Sequence, residues 1–406
     1  MVPLSRLERW PLYRRDQHRS DDHQEAVGGL FSNLILDQIP ITRVADITAL
    51  DVLGIPVFTS VTPMAKDLTT HLGKGMDKQT ARIGAVMEAL ERVSAEVLDY
   101  EPQKFTYSQL VSGGTDVADP WCFDLPETSC YRPDCPFDWV EGWDLIASRP
   151  IWILADLARS PAVEHVLDQV DTNGLAAGFS YGQALRSGLL ETIERDAVSQ
   201  YLFVRRFELE SGNRSLARRI DLASLPPGPR LLVDRAAAAG LEVTLEDLTT
   251  DLQIPVISCR LLDRAFPSAS GPMQFVTEGW GVDLKAAAAA THAILEAFQS
   301  RLGFIQGSRD SYNQVPLLTG GQRDNFDKLS TQCDFSEVPE MALSDREAEI
   351  EFIIERLQAV GVQQAIVIEL TRKSFGVPVV RVRVPGLSVF AIDSRRVGWR
   401  SARHLV

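Results

Sequence analysis

Asn173-Gly-Leu-Ala-Ala-Gly178 leads into Glu191-Thr-Ile-Glu194-Arg195-Asp196-Ala197, an offset of 13 from Gly178 to Glu191. This stretch decides the fold because its pattern recurs. A strand-like run reaches a glycine loop, and a long helix follows. That helix carries an acidic residue and a second polar residue three positions later. The same order holds for Gly73-Lys-Gly75 with Glu88-Ala-Leu-Glu91-Arg92, and for Gly279-Trp-Gly281 with Glu296-Ala-Phe-Gln299-Ser-Arg301. Counted from the last glycine to the first glutamate, the offsets are 13, 13 and 15. The copies lie too far apart and are too irregular for a solenoid. They read as one local device used three times around one centre.

The flanking sequence supplies the rest of a mixed α/β chain. Strands are expected at Ile55–Val61, twice within Trp139–Leu157, at Leu241–Leu245, Ile254–Leu261 and Gln274–Thr277, and at Ala365–Leu370 and Val377–Val384, where apolar β-branched residues concentrate. Helices are expected over Lys78–Tyr100, Tyr181–Phe203, Leu231–Leu241, Leu284–Leu302 and Asp345–Val360. Residues 101–138 hold prolines, cysteines and aromatics and read as an irregular excursion. No clean linker is visible. The expected organisation is an irregular and weakly helical extension over 1–40, a main domain over 41–395 and a short tail over 396–406.

Positions three apart share a helix face. The three stripes are Gly84, Glu88, Glu91, Ala95; Ser187, Glu191, Glu194, Val198; and His292, Glu296, Gln299, Gly303. Small or polar neighbours leave room beside the carboxylates. If the helices converge, Glu88, Glu91, Glu191, Glu194 and Glu296 share one place, where like charges cannot all stay ionised without cations. Oxygen-only ligands suit Mg²⁺, which commonly arrives with phosphates. The glycine loops could bring backbone N–H groups near those phosphates. A single Glu-x-x-Glu-Arg is ordinarily a solvated face with an internal ion pair. Two copies at equal offsets and a related third favour a shared site. Gly73-Lys74-Gly75 lacks the remainder of a Walker A loop, so a P-loop is excluded.

Composition narrows the class of function. The 406 residues carry 41 Lys+Arg against 55 Asp+Glu, a formal charge of −14, which argues against nucleic-acid binding as the main task. No apolar run approaches the ~18 residues of a membrane span, and the polar N-terminus does not read as a secretory signal. The five cysteines, Cys122, Cys130, Cys135, Cys259 and Cys333, are odd in number and irregularly spaced, which suggests a reducing cytoplasm. A zinc site at the first three is conceivable, but ordinary thiols are favoured.

The three motifs resemble those of the YcaO family. Ile305-Gln-Gly-Ser-Arg309-Asp310 and Pro378 to Pro385-Gly-Leu387 resemble its downstream segments, so the likeness runs from about residue 40 to 390. The resemblance implies a YcaO-type fold, with mixed sheets and three long helices around one ATP/Mg²⁺ site, and activation of a peptide-backbone amide. It implies metal and phosphate ligation by Glu88, Glu91, Glu191, Glu194 and Glu296. It places Lys74, Arg92, Asn173, His292, Glu296 and Arg301 at the nucleotide, and gives Glu191, Glu194, Arg195 and Gln299 catalytic roles. Three positions depart from the family pattern: Gly84 replaces a serine, Phe179 an asparagine and His292 an arginine. His292 either donates a hydrogen bond to the nucleotide or simply packs.

In the chemistry so implied, ATP phosphorylates the amide oxygen once a nucleophile has added to the carbonyl, and phosphate then departs. A Cys, Ser or Thr side chain gives an azoline, sulfide a thioamide and an amine an amidine. Azoline-forming members often end in a proline-rich tail that reaches the active site. No proline follows Pro385 here, so the chain looks more like the stand-alone members that work beside a TfuA-type protein and install thioamides. The expected partners are a peptide or protein substrate and a TfuA-like sulfur-delivery protein, with homodimerisation left open. The alternatives are an azoline-forming cyclodehydratase and a non-catalytic peptide-binding scaffold.

Overall fold

A computed structural model of the chain describes residues 5–16, 39–207, 216–265, 275–307 and 331–406. Most of the expected 1–40 extension, Gln274 and the resemblance at Ser308–Asp310 lie outside the described residues. The described residues form three sheets. The first is the antiparallel trio β1 (Arg43–Asp46), β2 (Val57–Val61) and β3 (Thr70–Lys74). The second has the order β11-β10-β9-β8-β12, with β8 Arg218–Ile220, β9 Glu242–Asp247, β10 Val256–Asp263, β11 Phe275–Val282 and β12 Thr331–Cys333. The third has the order β4-β5-β13-β14-β7, with β6 paired to β5. Its strands are β4 Gln103–Phe105, β5 Phe137–Asp144, β6 Arg149–Leu154, β7 Leu175–Ala177, β13 Ile366–Glu369 and β14 Val379–Arg383.

Five long helices accompany them: α1 Lys78–Ala95, α2 Tyr181–Arg206, α3 Pro227–Ala238, α4 Ala286–Gln306 and α5 Arg346–Ala359. Asp77 and Ser180 begin α1 and α2 by accepting from the N–H groups of Thr80 and Gln183, which satisfies donors that a helix start otherwise leaves orphaned. Buried apolar residues on α2, α5 and β14 build the largest core cluster among the described residues, from Leu185 and Ile193 to Ile353 and Val382. Helix α4 supplies Ala289, Ala293 and Phe298 to a second core against Leu245 and Ile257. The mixed α/β expectation matches this architecture. The 101–138 excursion contains β4, a helical turn at Tyr107–Ser112 and a 3-10 turn at Pro120–Phe123, and it buries Leu110, Phe123 and Tyr131.

The three repeats share a tighter register than glycine spacing suggests. Helices α1, α2 and α4 start at Lys78, Tyr181 and Ala286, and in each the first glutamate comes ten residues later, at Glu88, Glu191 and Glu296. The third offset of 15 arises because Gly281 corresponds to Gly73, not to Gly75. Neither segment is a free loop: Gly73 pairs with Phe58 in β3, and Gly279 and Gly281 lie inside β11. The glycines serve close packing. A Cβ on Gly73 would stand 2.1 Å from both Ala81 O and Ala85 N; one on Gly281 would stand 2.2 Å from Ala289 O and 2.5 Å from Ala293 N. Each strand therefore lies on the backbone of the helix that follows it. The units also close on one another: α1 packs on β7, α2 on β11 and α4 on β3.

Candidate active site

That closed arrangement turns the glutamate faces of the three helices inward. A cavity of about 770 Å³ opens between them. Its lining includes Lys74, Glu88, Glu91 and Arg92 from the first unit, Glu191 and Arg195 from the second, and His292, Glu296 and Gln299 from the third. Glu194 is buried just outside the lining, with its carboxylate 3.5 Å from the Arg195 guanidinium. Asn173 is buried beside Thr172, a lining residue, and its Oδ1 has no hydrogen-bond partner among the described residues. Arg301 is turned away. Five residues beyond Glu296, it lies on another face of α4 and is paired with Asp51 at 3.1 Å and Asp263 at 2.8 Å.

Specific bonds hold the lining. Glu88 accepts from the Leu72 N–H at 2.9 Å, and Glu91 accepts from the Ala177 N–H at 2.8 Å. Lys74 Nζ donates to Glu296 at 2.7 Å, and Gln299 Nε2 to the Leu72 carbonyl at 2.9 Å. Arg92 is paired with Asp67 at 2.7 Å. Arg195 lies 3.8 Å from Glu191 and places its guanidinium carbon 6.0 Å from the Trp280 ring centroid. Thus side chains from one unit reach the strand of the next.

Electrostatics follow from crowding and burial. Burial pushes Glu91 up to about 8, and the charges of Glu191 and Glu88 add to it against the Ala177 N–H. Burial also raises Glu191 and Glu194, only partly offset by Arg195. Burial acts on Glu296 in the same sense, but Lys74 and Arg195 outweigh it and hold that carboxyl below its ordinary value. Burial, then Lys74, lowers His292. That shift favours the neutral ring in the nucleotide-free protein.

The sequence reading missed a charged floor beneath these groups. Asp171 is paired with three buried arginines, Arg381, Arg383 and Arg396. Burial would raise Asp171, but the guanidinium groups overcome it and hold it far below the usual carboxylate range. The signal was two arginines alternating in the apolar run Val379-Val-Arg-Val-Arg383, every residue of which is buried. Charged side chains so placed need partners. Arg381 and Arg92 both act to lower Glu191.

Among the described residues, no group of three or more His, Cys, Asp or Glu side chains is arranged to hold a metal ion by itself. The donor set nevertheless fits a hard cation that brings ligands with it. Mg²⁺ usually takes one or two carboxylates and keeps its other positions for phosphate and water. Carboxylates raised by burial, Glu91 further by the charges of Glu191 and Glu88, would gain from such a charge. Glu88, Glu91, Glu191, Glu194 and Glu296 are the residues available to hold it, with Lys74, Arg92 and Arg195 available to phosphate.

Comparison with known proteins shows the family. The family model described as YcaO cyclodehydratase, ATP- and Mg²⁺-binding, matches residues 72–388. The chain belongs to the YcaO family, whose members are ATP-dependent enzymes with ATP and Mg²⁺ as cofactors. An uncharacterized protein of Methanothermobacter thermautotrophicus is 30% identical over 382 residues, covering 90% of this chain and 94% of its own. An uncharacterized protein in the tfuA 3' region of Rhizobium leguminosarum bv. trifolii is 32% identical over 381 residues, covering 86% and 84%. YcaO from Methanopyrus kandleri bound with AMPPCP and Mg²⁺ superposes with a TM-score of 0.74 at 23% identity, covering 92% of this chain and 93% of that one.

Proposed function

We propose that the protein activates a peptide-backbone amide with Mg·ATP and that sulfide is the nucleophile, so that the product is a thioamide. The convergence of four glutamates from three helices on one cavity, with a fifth behind them, carries the first half. Bound Mg·ATP would supply the phosphoryl group that makes the amide oxygen a leaving group. The chain's own part is positioning and charge: the glutamates hold the cation, Lys74, Arg92 and Arg195 offset phosphate charge, and Gln299 and Asn173 lie at the margin. Support for sulfide comes from the 32%-identical relative's place beside tfuA. A TfuA-like protein is the proposed sulfur-delivery partner.

The test incubates the protein with Mg·ATP, a candidate peptide, sulfide and a TfuA-type protein, and weighs the peptide. Exchange of one oxygen for sulfur is the expected result. Loss of one water would instead identify azoline formation. ATP left unconsumed with every peptide would favour a peptide-binding scaffold.

A further inference from the structure

The repeat register gives corresponding positions in the three units comparable tasks. Glu91, Glu194 and Gln299 occupy the second polar position, thirteen residues into α1, α2 and α4. Glu91 does not bond its own strand: its Oε1 accepts from Ala177 of β7, the next unit's strand. Gln299 likewise crosses to the next unit, where its Nε2 donates to the Leu72 carbonyl of β3. In unit two, Glu194 is paired with Arg195, which lies over Trp280 of β11. The chemistry matches the strand group that is met, since a carboxylate suits an N–H and an amide NH₂ suits a carbonyl.

The register of β3 shows why Leu72 needs such a partner. Gly75 donates to Pro56 O and Thr62 to Thr69 O, so residues 69, 71, 73 and 75 face β2. Leu72 faces the open edge. Glu88 takes its N–H and Gln299 takes its carbonyl, and Leu72 is only 4% exposed. Two residues on, Lys74 reaches Glu296 of the same helix α4.

We infer that Gln299 is a positioning residue: it fastens β3 to α4, closes the ring between the third and first units, and so places Lys74 and Glu88 for Mg·ATP without itself touching the nucleotide. The inference rests on the proposed Mg·ATP site for its consequence, but not for the bond itself.

The experiment compares wild type with Gln299→Leu, which removes the donor at similar volume, and Gln299→Glu, which sets an acceptor against the carbonyl. Hydrogen exchange is measured first without nucleotide. The Leu72 and Gly75 amides, bonded to Glu88 and to Pro56 O, should exchange about tenfold faster in both variants, the cost of one neutral hydrogen bond. Mg·AMPPCP affinity, read by calorimetry, should fall in parallel. Unchanged exchange with lost affinity would overturn the inference, because it would make Gln299 a direct nucleotide contact. If neither variant folds, a crystal structure of the wild type with Mg·AMPPCP decides. Gln299 Nε2 still on Leu72 O upholds the role; the amide turned to the nucleotide refutes it. Wild type that binds no Mg·AMPPCP would sink the proposed function while leaving the exchange result to judge the bond.

Discussion

Among single residues, Glu91 is the sharpest consequence of burial beside like charges. Its folded value of about 8 stands above the ordinary 4.5, so its ionisation opposes folding. Its contribution to the stability of the metal-free protein should therefore be fully present below about 4.5 and be lost as pH rises to about 8. Glu91→Gln should flatten that fall, and the check is thermal melting against pH in chelator. Mg·AMPPCP should restore the loss in wild type. The carboxylates themselves were legible in the sequence, because spacing three on a helix fixes their face. Arg301 was not, since its motif gives order along the chain and not direction; five residues from Glu296, it is committed to Asp51 and Asp263. The Asp171 arginine floor was hidden for a different reason. Partners more than two hundred positions apart leave no local trace, although two arginines in a valine strand do ask for some partner.

At the scale of elements, the strand–helix unit depends on glycine where two backbones meet. Gly73→Ala would drive a Cβ to 2.1 Å from backbone atoms of α1, which no rotamer change relieves. The expected cost is about 3 kcal/mol, or failure to fold. Gly228→Ala, in α3 with nothing within 4 Å, should be close to neutral or stabilising. Denaturant melts of the two variants test the contrast. Helix positions were readable to within a few residues from periodicity. The glycine segments were misjudged as loops, because glycine is a weak strand former and its value here lies in contacts with a helix that propensity cannot represent.

Across the whole molecule, three units of the same design close around one cavity, and the C-terminal segment braces the middle one. Arg400 is fully buried and donates to Asp196 at 2.9 Å and to Asp251 at 2.6 Å, tying α2 to the turn between β9 and β10. Arg400→Met should cost about 3–5 kcal/mol by stranding the Asp196 charge, and adding Asp196→Asn should recover much of it; melting of the single and double variants measures both. The sequence showed that the motifs repeat, but not that each helix packs on the next unit's strand. That closure makes one site out of three helices, and it is most directly tested by Mg²⁺-dependent AMPPCP binding in wild type, Glu88→Gln, Glu191→Gln and Glu296→Gln. One nucleotide per chain is predicted for wild type, with affinity falling at least tenfold in each variant while melting temperatures hold or rise. Full affinity in any one well-folded variant would remove that unit from the site and contradict the account.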